Sequence, residues 1–334
     1  PVKWVCSPPP CLSATPAKEL GVGGLLKTAR MPADLQERVE RLKRERGAVI
    51  LAHNYQRGEI QEVADAVGDS LELCRYAAEV ESRYVVFCGV RFMAEVAAIL
   101  CPEKRVLIPH EGAVCSLAGM LSPDYVALMR RRYPQSAVVV YVNSTAEVKA
   151  GADVVCTSAN AVDVVKEIDA DTVIFGPDAN LARWVSVNVL GKEVIPAPPH
   201  GFCHVHKLFD VEEATRRKEE LGAELLVHPE CDPELQDAAD FVGSTSQMVK
   251  RARASAAKAF VIATEVGMLY RLKRECPGKV FAPAYEEAIC PAMKLTTLER
   301  VYASLKELRH LVEVPKGVAR RARQAIERMF ELTA

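Results

Sequence analysis

From about Met31 the chain alternates two hydrophobic patterns. One is amphipathic and helical, as in "ADLQERVERLKRER", where Leu35, Val39 and Leu42 recur at helical steps among charged residues. The other is a short apolar run, as in "AVILAH" at residues 48–53. Short apolar strands separated by helices of roughly ten to fifteen residues predict parallel βαβ units, with helices covering the sheet faces. The leading stretch "PVKWVCSPPPCLSATPAKELGVGG" has no such period and is rich in Pro, Gly and small residues. It predicts an irregular extension over residues 1–30, and no role falls to its Cys6 and Cys11.

The order of segments then repeats. Three strand ends, "ILAHNYQ", "VVVYVNST" and "LLVHPEC", place His53, Tyr141 and His228 at intervals of 88 and 87 residues. Tyr55, Asn143 and Glu230 follow at the same intervals, and so do Ser70, Ser158 and Thr245 at the start of three helical patterns. A second strand recurs as "YVVFCG", "TVIFGP" and "FVIATE", and a third as "KRVLIP", "KEVIPA" and "GKVFAP". The expected fold is therefore α/β: three three-layer domains with parallel sheets, related by a pseudo-threefold axis. They span 31–122, 123–210 and 211–334, the last with a C-terminal helix.

One cysteine follows the third strand of each unit: Cys115 in "HEGAVCSL", Cys203 in "PHGFCHVH" and Cys290 in "YEEAICPAM", again 88 and 87 apart. A pseudo-threefold axis brings equivalent loops together, so three thiolates converge on it. Zinc in a structural site wants a fourth protein ligand, whereas an iron–sulfur cluster can keep one iron open. The cluster suits three equivalent cysteines better. His204 and His206 are possible fourth ligands but have no counterparts in the other units. Cys231, a rival ligand, sits at a first-strand position and otherwise reads as a buried thiol, as do Cys74, Cys88, Cys101 and Cys156.

Composition removes other classes. The 334 residues carry 43 Lys plus Arg against 44 Asp plus Glu, too balanced for a nucleic-acid or anionic-membrane field. Eleven cysteines without small-domain spacing argue for reduced thiols rather than a disulfide framework. With no apolar run long enough to span a bilayer and no signal-like start, the expected location is the cytoplasm.

The motifs "AHNYQ", "GDS", "HEGAVCSLA", "YVNSTAEVKAGAD", "CTSANA", "FGPDANLA", "CHVH", "VHPEC", "GSTSQM", "ATEVGMLYRL" and "MKLTTLE", in this order, resemble the quinolinate synthase family over residues 31–334. The resemblance implies a four-iron four-sulfur cluster on Cys115, Cys203 and Cys290. It also implies condensation of iminoaspartate with dihydroxyacetone phosphate to quinolinate, phosphate and water, with an aspartate oxidase as a possible supplier of the imine. Some family members carry extra cysteines beside the third ligand; here Cys290 stands alone in "ICPAMK", and Cys276 lies too far upstream to take that place.

Residue chemistry fits that reaction. An open iron polarises a substrate oxygen for dehydration, and strand residues i and i+2 share a face, so each recurring pair points one way. Glu230 is the candidate general base. Tyr55 and Tyr141 are candidate proton donors or oxyanion partners, and His53 and His228 candidates for carboxylate binding or proton transfer. Ser70, Ser158 and Thr245 are expected as helix caps that also face a shared anion site, with Asn143 and Lys294 adding contacts. Two other readings are a diphthamide-type radical enzyme or isoprenoid diphosphate reductase of similar symmetry, and a non-enzymatic iron–sulfur redox sensor. The first leaves "HNYQ", "VHPEC" and "MKLTTLE" unexplained, and the second lacks a basic recognition helix.

Overall fold

The computed structural model describes residues 33–333, so the extension with Cys6 and Cys11 lies outside the described residues. The first helical pattern forms Ala33–Arg46, with Asp34 in its first turn and Lys43, Arg44 and Arg46 in its last, each charge opposing the helix dipole favourably. The next apolar run is strand β1 (Ala48–His53). It is joined by β2 (Ala66–Gly68), β3 (Tyr84–Cys88) and β4 (Arg105–Leu107) in a parallel sheet of order β2-β1-β3-β4.

The same order returns twice. β5 (Ala137–Tyr141), β6 (Val154–Cys156), β7 (Thr172–Gly176) and β8 (Glu193–Pro196) form β6-β5-β7-β8, all parallel. β9 (Glu224–Val227), β10 (Phe241–Val242), β11 (Ala259–Ala263) and β12 (Val280–Pro283) form β10-β9-β11-β12, also parallel. The α/β class and the threefold recurrence are as expected. The short edge strands β2, β6 and β10 were not visible in the sequence, because two or three residues carry no readable alternation.

Hydrogen bonding repeats as closely as topology. Asp65, Asp153 and Asp240 each accept the backbone N–H of a residue on the first strand of their sheet, Ile50 at 2.8 Å, Val138 at 2.7 Å and Leu225 at 2.7 Å. Each aspartate's own N–H returns to the same residue's carbonyl. One carboxylate thereby pins the edge connection to the central strand in all three sheets.

Both faces of each sheet are buried, which is why its strands read as unbroken apolar runs. In the third sheet Leu225, Val227, Val261 and Ala263 pack on one side, and Leu226, Phe260, Ile262 and Phe281 on the other. The C-terminal segment leaves this sheet. Helix Leu298–Glu307 packs on Ala33–Arg46 and β3, and helix Lys316–Leu332 on β6, helix Ala146–Lys149 and helix Arg91–Leu100. The last stretch of the range expected for the third unit thus covers the first and second. Among the described residues, no helix is long and apolar enough to cross a membrane.

Candidate active site

The ends of β1, β5 and β9 supply the first set of site residues, as expected at the carboxyl ends of parallel strands. One cavity is lined by His53, Tyr55, Ser70, Cys115, Tyr141, Asn143, Ser158, Cys203, His228, Glu230, Thr245 and Cys290. Every residue proposed from the repeat therefore opens on the same space. Lys294 does not line it. Its ammonium lies 2.9 Å from Glu265 Oε1 and donates to the Tyr55 carbonyl, so it braces the Tyr55 loop from behind.

His53 and His228 are built alike. The Nδ1 of His53 accepts the Tyr55 N–H at 3.2 Å, and that of His228 accepts the Glu230 N–H at 3.3 Å. With Nδ1 used as an acceptor, each neutral ring carries its proton on Nε2. Burial pushes both imidazoles down to about 3, so neither charges near neutral pH.

Glu230 is 3% exposed and accepts from Asn143 Nδ2 at 3.1 Å. Burial alone would raise its carboxyl; the His206 ring, then His228 and the Tyr141 hydroxyl, outweigh that and hold it below the usual carboxylate range. Burial, reinforced by the Glu230 charge, keeps the phenols of Tyr55 and Tyr141 well above their ordinary value, so both stay protonated.

The expectation that Ser70, Ser158 and Thr245 cap helices is corrected by the structure. Helix Ser70–Glu79 is capped by Asp69, which accepts from Leu71 and Glu72 N–H in a capping box. Helix Thr245–Ala254 is capped by Ser244, in a box with Gln247. Helix Ala161–Glu167 starts at Asn160, whose side chain instead accepts from Thr157 N–H and hydroxyl. The stronger capping residue stands one position earlier in the first two cases, which leaves Ser70 and Thr245 at the first helical position, on the cavity wall. Thr245 Oγ1 accepts from Asn54 Nδ2 at 2.7 Å.

The three cysteine loops bring Cys115, Cys203 and Cys290 to the cavity from three repeats. Burial raises all three thiols, Cys115 to about 12. The donor atoms that lie within 4.8 Å of one another are those of Cys203, His206 and Glu230, not the three thiols. Three sulfur donors, one from each repeat, are the kind of ligand set that iron–sulfur centres take. His206 is a poor fourth ligand, because Nε2 lies 2.9 Å from Thr264 Oγ1 and Nδ1 2.8 Å from Glu230 Oε2. Cys231 is fully buried on the side of the third sheet that carries Leu225, Val227, Val261 and Ala263, where its thiol donates to the Ala263 carbonyl at 3.4 Å.

Two residues escaped the sequence reading as acid–base partners. His206, weighed there only as a metal ligand, is 1% exposed, stacks on His228 with centroids 4.7 Å apart, and touches Glu230. Glu265 is fully buried and accepts from Gly267 N–H at 2.7 Å and Cys290 N–H at 3.1 Å. For Glu265 the available signal was the repeat itself: it stands 87 positions after Asp178, and the two carboxylates follow the equivalent strands β11 and β7.

Three parallel α/β repeats that each send one thiol and one pair of polar residues from the end of the first strand into a common cavity define a pseudo-threefold enzyme class built around a cysteine-lined centre. The chain belongs to the quinolinate synthetase A family, whose model matches residues 37–331. It is 51% identical over 301 residues to a quinolinate synthase of Pyrococcus furiosus, covering 90% of this chain and 98% of that protein. Identity is 53% over 301 residues to one of Methanothermobacter thermautotrophicus (90% and 98%) and 49% over 297 residues to one of Thermodesulfovibrio yellowstonii (89% and 97%).

Proposed function

We propose that the chain condenses iminoaspartate with dihydroxyacetone phosphate to quinolinate, with loss of phosphate and water, in the cytoplasm. The observation that carries this is the convergence of the three repeat-related thiols and the Glu230 set on one cavity. Cys115, Cys203 and Cys290 would hold a four-iron four-sulfur cluster, and the residues present fit it. When bound, such a cluster supplies Lewis acidity to a substrate oxygen through its open iron.

The chain's own residues do the rest. The Nε2–H groups of His53 and His228 are neutral donors suited to substrate carboxylates. Ser70, Ser158 and Thr245 add hydroxyls on the same wall, at or near helix starts that favour anions. Glu230 stays ionised and takes the proton that condensation and dehydration release. Asn143 orients its carboxylate, while Tyr55 and Tyr141 hydrogen-bond the oxygens on which charge develops. An aspartate oxidase is a suitable source of the imine.

The test is anaerobic incubation with both substrates and assay for the pyridine dicarboxylate. Glu230→Gln should keep fold and cysteine-bound iron but lose at least about a hundredfold in turnover. Product absent from the wild-type reaction overturns the activity; normal turnover in the Gln variant removes Glu230 from the chemistry.

A further inference from the structure

Gln61, Lys149 and Gln236 stand 88 and 87 positions apart on the short helices that follow β1, β5 and β9, and all three are buried. In two of the repeats the side chain has the same task. Gln61 Nε2 donates to the carbonyls of Asn54 at 3.2 Å and Gln56 at 3.0 Å in its own turn, and to that of Gly267 in the third repeat at 3.1 Å. Gln236 Nε2 donates to the carbonyls of Pro229 and Cys231, both at 2.8 Å, and to that of Asn180 in the second repeat at 3.3 Å. One neutral amide thus closes the turn after the first strand and ties it to a neighbouring repeat.

The second repeat has an ammonium in that place. Lys149 is fully buried and donates to the Ser144 carbonyl, the counterpart of those of Gln56 and Cys231. Its Nζ lies 5.3 Å from the ring centroid of Phe92, the counterpart of Asn180 and Gly267. Glu95 is the acidic group that favours the ammonium most, yet its carboxylate is taken by Arg91 Nε at 3.0 Å and the Ala146 N–H at 3.3 Å. Burial pulls the ammonium down to about 8, so it keeps its charge near neutral pH. A buried charge without an ion-pair partner is costly, whereas glutamine meets the same geometry twice in this chain. The turn alone does not call for the charge.

The charge stands behind the cysteine end of the cavity. Phe92 and Cys115 line that cavity and Lys149 does not. The Arg91 N–H donates to the Ala113 carbonyl at 2.8 Å, which holds the residue before Phe92 to the loop that carries Cys115. A thiolate at Cys115 is among the groups that favour the ammonium. Neither counterpart of Lys149 is charged, so at this repeat position the positive field enters from one repeat alone.

We propose that Lys149 is the buried countercharge for a metal centre on Cys115, Cys203 and Cys290. This rests on the reading of those cysteines as cluster ligands. Three thiolates bring three negative charges into a largely apolar wall, and the ammonium offsets part of them without touching centre or substrate. It acts through its field, which a buried site screens little. A centre kept electron-poor in this way is the stronger Lewis acid.

Lys149→Gln installs the residue of the other two repeats and removes the charge; Lys149→Met keeps the length but loses charge and donor, and Lys149→Arg keeps the charge. Midpoint potentials of the anaerobically reconstituted proteins are read by dithionite titration followed by electron paramagnetic resonance. In the Gln and Met variants the one-electron equilibrium should shift toward the oxidised form about tenfold or more, about 59 mV, and the Arg variant should stay near the wild type. The urea midpoint of the metal-free Gln variant should equal or exceed that of the wild type, because a charge without a partner is gone. A Gln variant with an unchanged or higher potential overturns the proposal. So does one whose metal-free urea midpoint drops, since the lysine would then serve the turn; that measurement needs no iron. Wild-type protein that takes up no iron would instead count against the cluster reading itself.

Discussion

At the scale of single residues, repetition and burial together decide chemistry. His53 and His228 occupy one repeat position, accept the same kind of backbone N–H, and are pushed down to the same value of about 3 from 6.5. A histidine that stays neutral when folded binds its proton only when unfolded, so the unfolded chain holds more protons between those two values. Stability from this source is complete above about pH 6.5 and is lost as pH falls toward about 3. The slope approaches about 1.4 kcal/mol per pH unit for each ring. Glu230, also depressed, adds a loss in the same direction below the ordinary carboxylate range. Urea midpoints of metal-free protein should therefore fall steadily from pH 7 to 5, and a flat profile would show that these rings charge in place. His53, Glu230 and the tyrosines could be named from the sequence because they recur; His206 and Thr264 could not, because what joins them is a hydrogen bond across 58 positions.

At the scale of elements, the two capping boxes show how position along a helix separates stability from binding. Asp69 caps the start of helix Ser70–Glu79 and also accepts from Ser244, the cap of helix Thr245–Ala254, at 3.1 Å. Asp69→Ala should cost about 1–2 kcal/mol of stability, read from the thermal or urea midpoint. Ser70→Ala should cost much less, because Ser70 makes no cap, yet weaken the binding of a dicarboxylate such as quinolinate in a calorimetric titration. Equal midpoint losses in the two variants would return the capping role to Ser70. The sequence placed the starts of the first and third of these helices at Ser70 and Thr245, and put the second too early, at Ser158 where the helix begins at Ala161. It misassigned the caps because Asp-Ser and Ser-Thr each offer two capping side chains in a row, and only backbone conformation chooses between them.

At the scale of the whole molecule, three chain segments far apart in sequence place one thiol each at a single cavity. Burial keeps those thiols protonated near neutral pH, so binding a cluster must release protons. Anaerobic reconstitution should yield about four irons per chain and acidify a weakly buffered solution. Cys115→Ser, Cys203→Ser and Cys290→Ser should each abolish the iron absorbance, and Cys231→Ser, buried against the third sheet, should retain it. Iron retained by Cys203→Ser but lost from Cys231→Ser would overturn the ligand set.

The sequence by itself determined the alternation of strand and helix, the repeat of 88 and 87 residues, and hence the α/β class and the cavity-facing set that recurs with it. Those features are local or periodic, and a periodic signal is summed over many residues. Only the tertiary structure decided that the C-terminal helices cover the first two units, that Lys294 pairs with Glu265 behind the cavity, and that His206 and Thr264 join Tyr55 to Glu230. Each of these is a single contact between segments without a shared period. Such contacts are set by where packed elements bring side chains together, and no local pattern in the chain records that.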